Sequence, residues 1–230
     1  MYKILKIFRQ FFSFYFQNIF LFSGYTLKKQ ERIFIMNTKL SEETYYINTS
    51  KKNASLFLSS YLTALFQERS DKNHLPPVFL CIGSDRVTGD SLGPIIGSRL
   101  SNALPDRFSI YGTLQSPVHA LNLSETLRTI YQYHPDRLLI AIDASLGTQK
   151  HQGYVTVAHG SLCPGAGVNK TLESAGDISI TGIVNINNRF SHLMLQSTRI
   201  SMVMMLAECI SKGICLSCQN LFPEKRHFIF

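Results

Sequence analysis

The chain has no internal repeat, no low-complexity linker and no sign of a second domain, which leaves one folded body rather than a string of modules. Charged residues are scarce at 17% of 230, and hydrophobic residues reach 45%, a balance that excludes a largely disordered protein. A paired set of cysteines is also missing. The five present (Cys81, Cys163, Cys209, Cys215, Cys218) are odd in number, scattered and mostly inside apolar runs, so they fit free thiols in a reducing cytosol rather than a secreted disulfide framework. Acidic residues are outnumbered 15 to 23, a formal charge of +8, which first points to a nucleic-acid or anionic-membrane partner. Locating the charges weakens that inference, because residues 1–35 hold six basic residues against Glu31 and leave the body with 17 basic against 14 acidic.

An uninterrupted apolar span is lacking as well. Half of the 16 Phe residues precede Met36, but Arg9, Gln10, Gln17 and Asn18 break the stretch. A spanning helix needs about 20 apolar residues and a central Arg costs roughly 2.5 kcal/mol, so spanning is not expected. No small-residue cleavage site follows, which disfavours a signal peptide. Phe8, Phe11, Phe12, Phe16, Ile19 and Phe20 fall at helical spacing behind a basic start, as in a helix lying in a membrane interface. The favoured expectation is simpler: residues 1–35 are an extension outside the domain, translation begins at Met36, and residues 36–230 form a single domain. Lys28-Lys29-Gln30-Glu31-Arg32 can be encoded by a purine-rich stretch of the kind that precedes a start codon.

The body alternates two periodicities. Ala54, Phe57, Leu58, Tyr61, Leu62 and Leu65 mark an amphipathic helix, and the short apolar run 78–82 reads as a strand buried on both faces. Leu92, Ile95, Ile96, Leu100 and Ala103 return to the helical period, with Gly93-Pro94 punctuating the start. A strand near 108–114, a helix near 121–133 and a strand at 138–142 complete a βαβαβ run, which implies a parallel sheet with helices on its faces. Two more strands are expected at 154–158 and 178–184, separated by a Gly-rich loop, and then one long apolar core helix around 190–210. The tail from Pro223 to His227 reads as a frayed end.

Ligands of open α/β sheets bind outside the carboxyl ends of the strands, and two acidic motifs land there. Asp90 lies in the connection Gly83-Ser84-Asp85-Arg86-Val87-Thr88-Gly89-Asp90-Ser91-Leu92-Gly93-Pro94, and Asp143 directly ends an apolar strand in Ile142-Asp143-Ala144-Ser145. Two carboxylates brought together cannot readily both ionise, so one would act as acid and the other as base toward water attacking a peptide carbonyl. The plainer alternative is that Asp90 caps the following helix and Asp143 fixes a turn. Asp85 reads as a turn residue or a neighbour of the pair, and it could join Asp90 and Asp143 in holding a hard metal.

Other motifs are weaker. Cys163-Pro164-Gly165-Ala166-Gly167-Val168-Asn169-Lys170-Thr171 has glycines that could bring backbone amides to a ligand, but it lacks both glycines of a phosphate-binding Walker loop. Gly89-Asp90-Ser91-Leu92-Gly93 fits a serine nucleophile-elbow pattern, with Asp143 and His159 or His192 available as triad partners. Several residues separate Ser91 from the preceding strand, however, and the DxxH element of GDSL hydrolases is missing, so Ser91 reads better as a helix-start hydroxyl. A lone His such as His119 reads as a surface residue or one with a structural partner. Cys215-Leu216-Ser217-Cys218 is a single CxxC, expected after a helix and read as incidental.

The run 81–94, Asp143 within Ile140-Ala141-Ile142-Asp143-Ala144, the loop from Pro164 to Lys170 and the stretch 176–185 together resemble the YyaC-type sporulation proteins of endospore-forming bacteria, over about residues 75–212. That family is similar to the germination protease, an atypical aspartic peptidase, and more distantly to the hydrogenase maturation proteases. The resemblance implies an α/β three-layer α/β/α sandwich with a mostly parallel sheet. Catalytic Asp residues of the germination protease occupy an Asp-x-Leu-Gly-Pro and an Ile/Val-Asp-Ala element, which match Asp90 and Asp143 here. Its Pro-Gly-x-Gly-Val-Gly-Asn-Lys loop also recurs, although this chain lacks one Gly before Asn169 and has Cys163 where the protease has His. The Glu, Asp and His set with which hydrogenase maturation proteases sense nickel has no His placed here.

The resulting expectation is an aspartic-type endopeptidase of sporulation or germination, cytoplasmic, with Asp90 and Asp143 catalytic and with Asp85, Gly165, Gly167 and Asn169 bordering the substrate. No cofactor and no metal are expected. The expected partners are proteins or peptides, small spore proteins among them, without direct nucleic-acid contact or firm membrane association, and a homo-oligomer is compatible with the sequence. The rival expectations are a serine hydrolase using Ser91 and a non-catalytic spore protein on the same fold.

Overall fold

The buried apolar runs assemble into one six-stranded mixed sheet with helices on both faces, in a computed structural model that describes residues 44–69, 75–165 and 172–223. The expectations for residues 1–35, for Gly167 and Asn169, and for the tail beyond Pro223 lie outside the described residues.

In chain order the elements are β1 (Tyr45–Asn48), α1 (Ala54–Arg69), β2 (Val78–Cys81), a 3-10 turn (Gly89–Ser91), α2 (Leu92–Ala103), β3 (Ser109–Tyr111), α3 (Leu123–Tyr133), β4 (Leu139–Gly147), β5 (Tyr154–His159), β6 (Ile178–Ile186), α4 (Ser191–Gln196) and α5 (Ile200–Leu221). The sheet order is β1-β5-β6-β4-β2-β3. The pairs β6–β4, β4–β2 and β2–β3 are parallel, whereas β1–β5 and β5–β6 are antiparallel. The chain leaves β2 for β3 on one side, returns through α3 to β4 on the other, and thereby makes β2 and β4 a point of diverging connections.

Alternation along the central strands separates the two helical layers. Val78, Leu80, Ile82, Leu139 and Ala141 form one core with Leu123, Leu127 and Ile130 of α3. On the opposite face Phe79, Cys81, Ile140 and Ile142 are fully buried, and Gly97 of α2 meets Cys81 there. Helix α5 packs against α1, α2, β5 and β6. By length and composition α5 could cross a membrane, but half of its apolar window is buried inside the fold, as a core helix requires.

The structure departs from the sequence-based expectations in several places, among them the strand expected near 108–114, which is only Ser109–Tyr111, and the one expected at 178–184, which runs on to Ile186. Strand β4 runs four residues beyond Asp143, because β6 continues to pair with it through Gly147↔Ile186; Asp143 is therefore an interior residue of β4 and does not end it. The expected helix over 190–210 is two helices. Met194 O accepts bonds from Asn185 Nδ2 and Thr198 Oγ1, both at 2.8 Å, and the chain is not helical at 198–199. The CxxC pair lies inside α5 rather than after a helix. Strand β1, an edge strand on β5, was not expected from its mixed sequence Tyr45-Tyr46-Ile47-Asn48.

Candidate functional site

The site forms where β2 stops and β4 continues. Ile82 still donates to Ile142 O at 2.7 Å, but the Gly83 amide turns to Val118 O at 2.8 Å, so the chain has left β4 for the β3–α3 connection. Gly83 makes this turn at φ +145°, and a Cβ there would sit 2.0 Å from the carbonyl oxygen of Asp90. The following loop closes on itself through Ser84 N–H to Asp90 O at 3.1 Å. Asp90 falls within the 3-10 turn that leads into α2.

With β2 gone, the next β4 amide facing that side, Ala144 N–H, has no strand partner, and the Asp143 carboxylate accepts it at 2.7 Å. Asp143 shares the strand face of Leu139 and Ala141, one step past the core that α3 covers. Its register partner is Thr181 of β6, whose hydroxyl meets those of Thr156 at 2.6 Å and Ser145 at 3.1 Å. That hydroxyl row has no sequence motif. It arises from strand register alone.

Asp90 and Asp143 line the same open cavity of about 330 Å³. Asp85, Gly165 and Pro164 line it too, with Gly165 at φ +72°. Asp143 is 8% exposed; burial first and the Asp90 charge second push its carboxyl well above the usual range, against the Ala144 amide. Burial also raises Asp90, while the Ser84 amide, His119 and His192 pull it down. The arrangement therefore favours a single proton in the pair, residing mainly on Asp143.

Neither plainer role fits these positions. Asp90 makes no capping bond to the helix after it, and Asp143 sits in a strand. Ser91 is 6% exposed, gives its hydroxyl proton to Thr88 O at 2.7 Å and does not line the cavity. Asp85 lines the cavity but completes no metal set: among the described residues no three His, Cys, Asp or Glu side chains group so as to hold an ion.

His119 and His192 are the side chains that sequence reasoning undervalued. Both line the cavity, His119 from the β3–α3 connection and His192 from α4. His119 Nδ1 accepts the Leu121 amide at 3.3 Å, which ties the ring to its own turn. The packing of α4 onto the Gly89–Ser91 turn brings His192 in, and a Cβ on Gly89 would meet Leu195 O at 2.9 Å. No local pattern announces a contact between segments a hundred residues apart.

The comparisons with known proteins agree with the motif resemblance. A family model described as "Protein of unknown function (DUF1256)" matches residues 46–213. The chain is 37% identical over 181 residues to the uncharacterized protein YyaC of Bacillus subtilis (strain 168), covering 79% of this chain and 87% of that one. Among solved structures, it is similar to the [NiFe] hydrogenase maturation protease HycI from Thermococcus kodakarensis KOD1. That match has 15% identity and a TM-score of 0.43, with 68% of this chain and 98% of that chain covered, too weak a likeness to add to the topology described above. With most of its folded body matched by one family model and by a relative of this identity, the chain belongs to the DUF1256 family, alongside YyaC.

Proposed function

We propose that the protein is an aspartic-type endopeptidase of the sporulating cell, acting in the cytoplasm or forespore on protein substrates, small spore proteins among them. The observation that carries this reading is the pair of carboxyl groups lining one open cavity, the buried one pushed toward its protonated form by its surroundings and by its partner's charge. The link to sporulation rests on the relation to the YyaC-type proteins.

The chemistry follows from that asymmetry. Asp90, ionised, takes a proton from water as its oxygen bonds to the peptide carbonyl carbon, and Asp143 gives its proton to the carbonyl oxygen. On collapse the C–N bond breaks, the leaving nitrogen takes the proton from Asp90, and one hydroxyl of the tetrahedral centre returns a proton to Asp143. The pair ends as it began.

Incubation of the chain with small basic spore proteins, read by mass spectrometry, tests this. Asp90→Asn and Asp143→Asn should each lower cleavage by at least about 10³-fold, and Ser91→Ala should leave most of it. Loss of cleavage in Ser91→Ala with retention in both Asn variants would instead assign a serine enzyme.

A further inference from the structure

The walls of the cavity differ from its floor. Its acid groups lie above β2 and β4, whereas Leu121 enters from the β3–α3 connection and Leu195 from α4, which follows β6. In the sheet order these two sources lie on opposite sides of the β4–β2 pair. Leu121 is 91% exposed, yet the segment that holds it is not loose. His119 N–H donates to Asn122 Oδ1 at 2.8 Å, Asn122 Nδ2 donates to Pro117 O at 3.0 Å, the Asn122 amide donates to His119 O at 3.1 Å, and the Leu121 amide is held by the His119 ring. A large aliphatic group is thus held in water beside a polar site, without the stabilisation that burial of such a side chain gives. Leu195 is half-buried on the short helix α4, where Leu193 is exposed at 53% and Phe190, just before the helix, at 65%.

Charge narrows the ligand further. Around the cavity the three carboxyl groups of Asp85, Asp90 and Asp143 stand with one guanidinium, that of Arg86, and the imidazoles of His119 and His192. This balance disfavours an acidic segment and suits one that is neutral or basic beyond its apolar residues.

We infer that Leu121 and Leu195 are specificity-determining residues, which receive bulky apolar side chains on either side of the bond set over Asp90 and Asp143, so that the substrate class is an extended, non-acidic segment with apolar residues flanking the cleaved bond. This inference rests on the peptidase reading and names its substrate.

The test separates binding from turnover. Fluorescein-labelled ten-residue peptides carrying Leu-Leu, Ser-Ser or Glu-Glu at the centre are titrated with the full-length Asp143→Asn protein and followed by anisotropy. The Leu-Leu peptide should bind at least about tenfold more tightly than either other peptide. Leu121→Ser, which alters an exposed position, should remove most of that preference, and Leu121→Met should restore it. Leu195→Ser should act in the same direction, with a melting curve to show that it is folded. Equal binding of the three peptides, no binding of any, or a preference untouched by Leu121→Ser overturns the inference. If the Leu-Leu preference holds but the wild-type protein cleaves nothing, the peptidase reading fails while the binding specificity stands. If the wild-type protein cleaves without regard to flanking residues, the specificity fails and the acid pair stands.

Discussion

Asp143 combines two demands that conflict. Its carboxyl accepts the amide of Ala144, which favours the charged form, yet burial and the Asp90 charge oppose that form more strongly. A folded-state pKa raised above the unfolded one of about 3.9 stabilises the fold fully only below the unfolded value, and that contribution is lost as pH rises through the folded value. Asp143→Asn keeps an oxygen for the Ala144 amide and removes the titration. It should therefore melt higher than wild type at pH 8, by ~2–4 °C for each kcal/mol recovered in a chain of this size, with the gap closing toward pH 4 in calorimetric scans. The same shift sets the activity profile of the proposed peptidase. Cleavage should fail on the alkaline side as Asp143 loses its proton, well above the usual carboxylate range, and on the acid side as Asp90 gains one. Replacing both His119 and His192 by Gln should move the acid limb upward, because their charges favour ionised Asp90. Both aspartates were legible because each borders a recognisable motif. The histidines were not, since neither has a neighbour in sequence that marks it.

The elements divide into those that hydrophobicity announces and those that pairing creates. Strand β2 and the first half of β4 are continuous apolar runs buried on both faces, and α3 shows its stripe at Leu123, Leu127 and Ile130. The second half of β4, Ala144 to Gly147, is only half-buried and is held by the ladder to β6, so composition gave no sign of it. The same holds for β1, which exists because β5 offers it an edge. The break between α4 and α5 depends on Asn185, a β6 residue, bonding to Met194 O. Gly93 illustrates how tightly α2 is seated: an added Cβ would lie 2.0 Å from the Ile82 carbonyl oxygen. Gly93→Ala should cost roughly 3 kcal/mol or more in urea unfolding, because α2 cannot yield without lifting off the end of β2.

For the whole molecule, the five cysteines are all free thiols, spread over β2, the loop after β5 and α5. Their environments differ sharply. Burial raises Cys81, Cys215 and Cys218 and pushes Cys209 up to about 11, whereas Cys163 is exposed. Native protein should give one fast equivalent with Ellman's reagent, lost in Cys163→Ser, and the remainder only on denaturation. A sheet covered by helices was legible from alternating periodicities and its three-layer, mostly parallel form from the family resemblance, while the antiparallel pairing of β1–β5 and β5–β6 left no trace in the short apolar runs. The cavity draws on the connection after β2, the interior of β4, and α4 near the end of the chain. During synthesis both aspartates leave the ribosome dozens of residues before β6 and α4 do. A polypeptide that stops short of β6 and α4 thus lacks two of the walls that close around its acids, so the pocket is completed only after those late elements have folded.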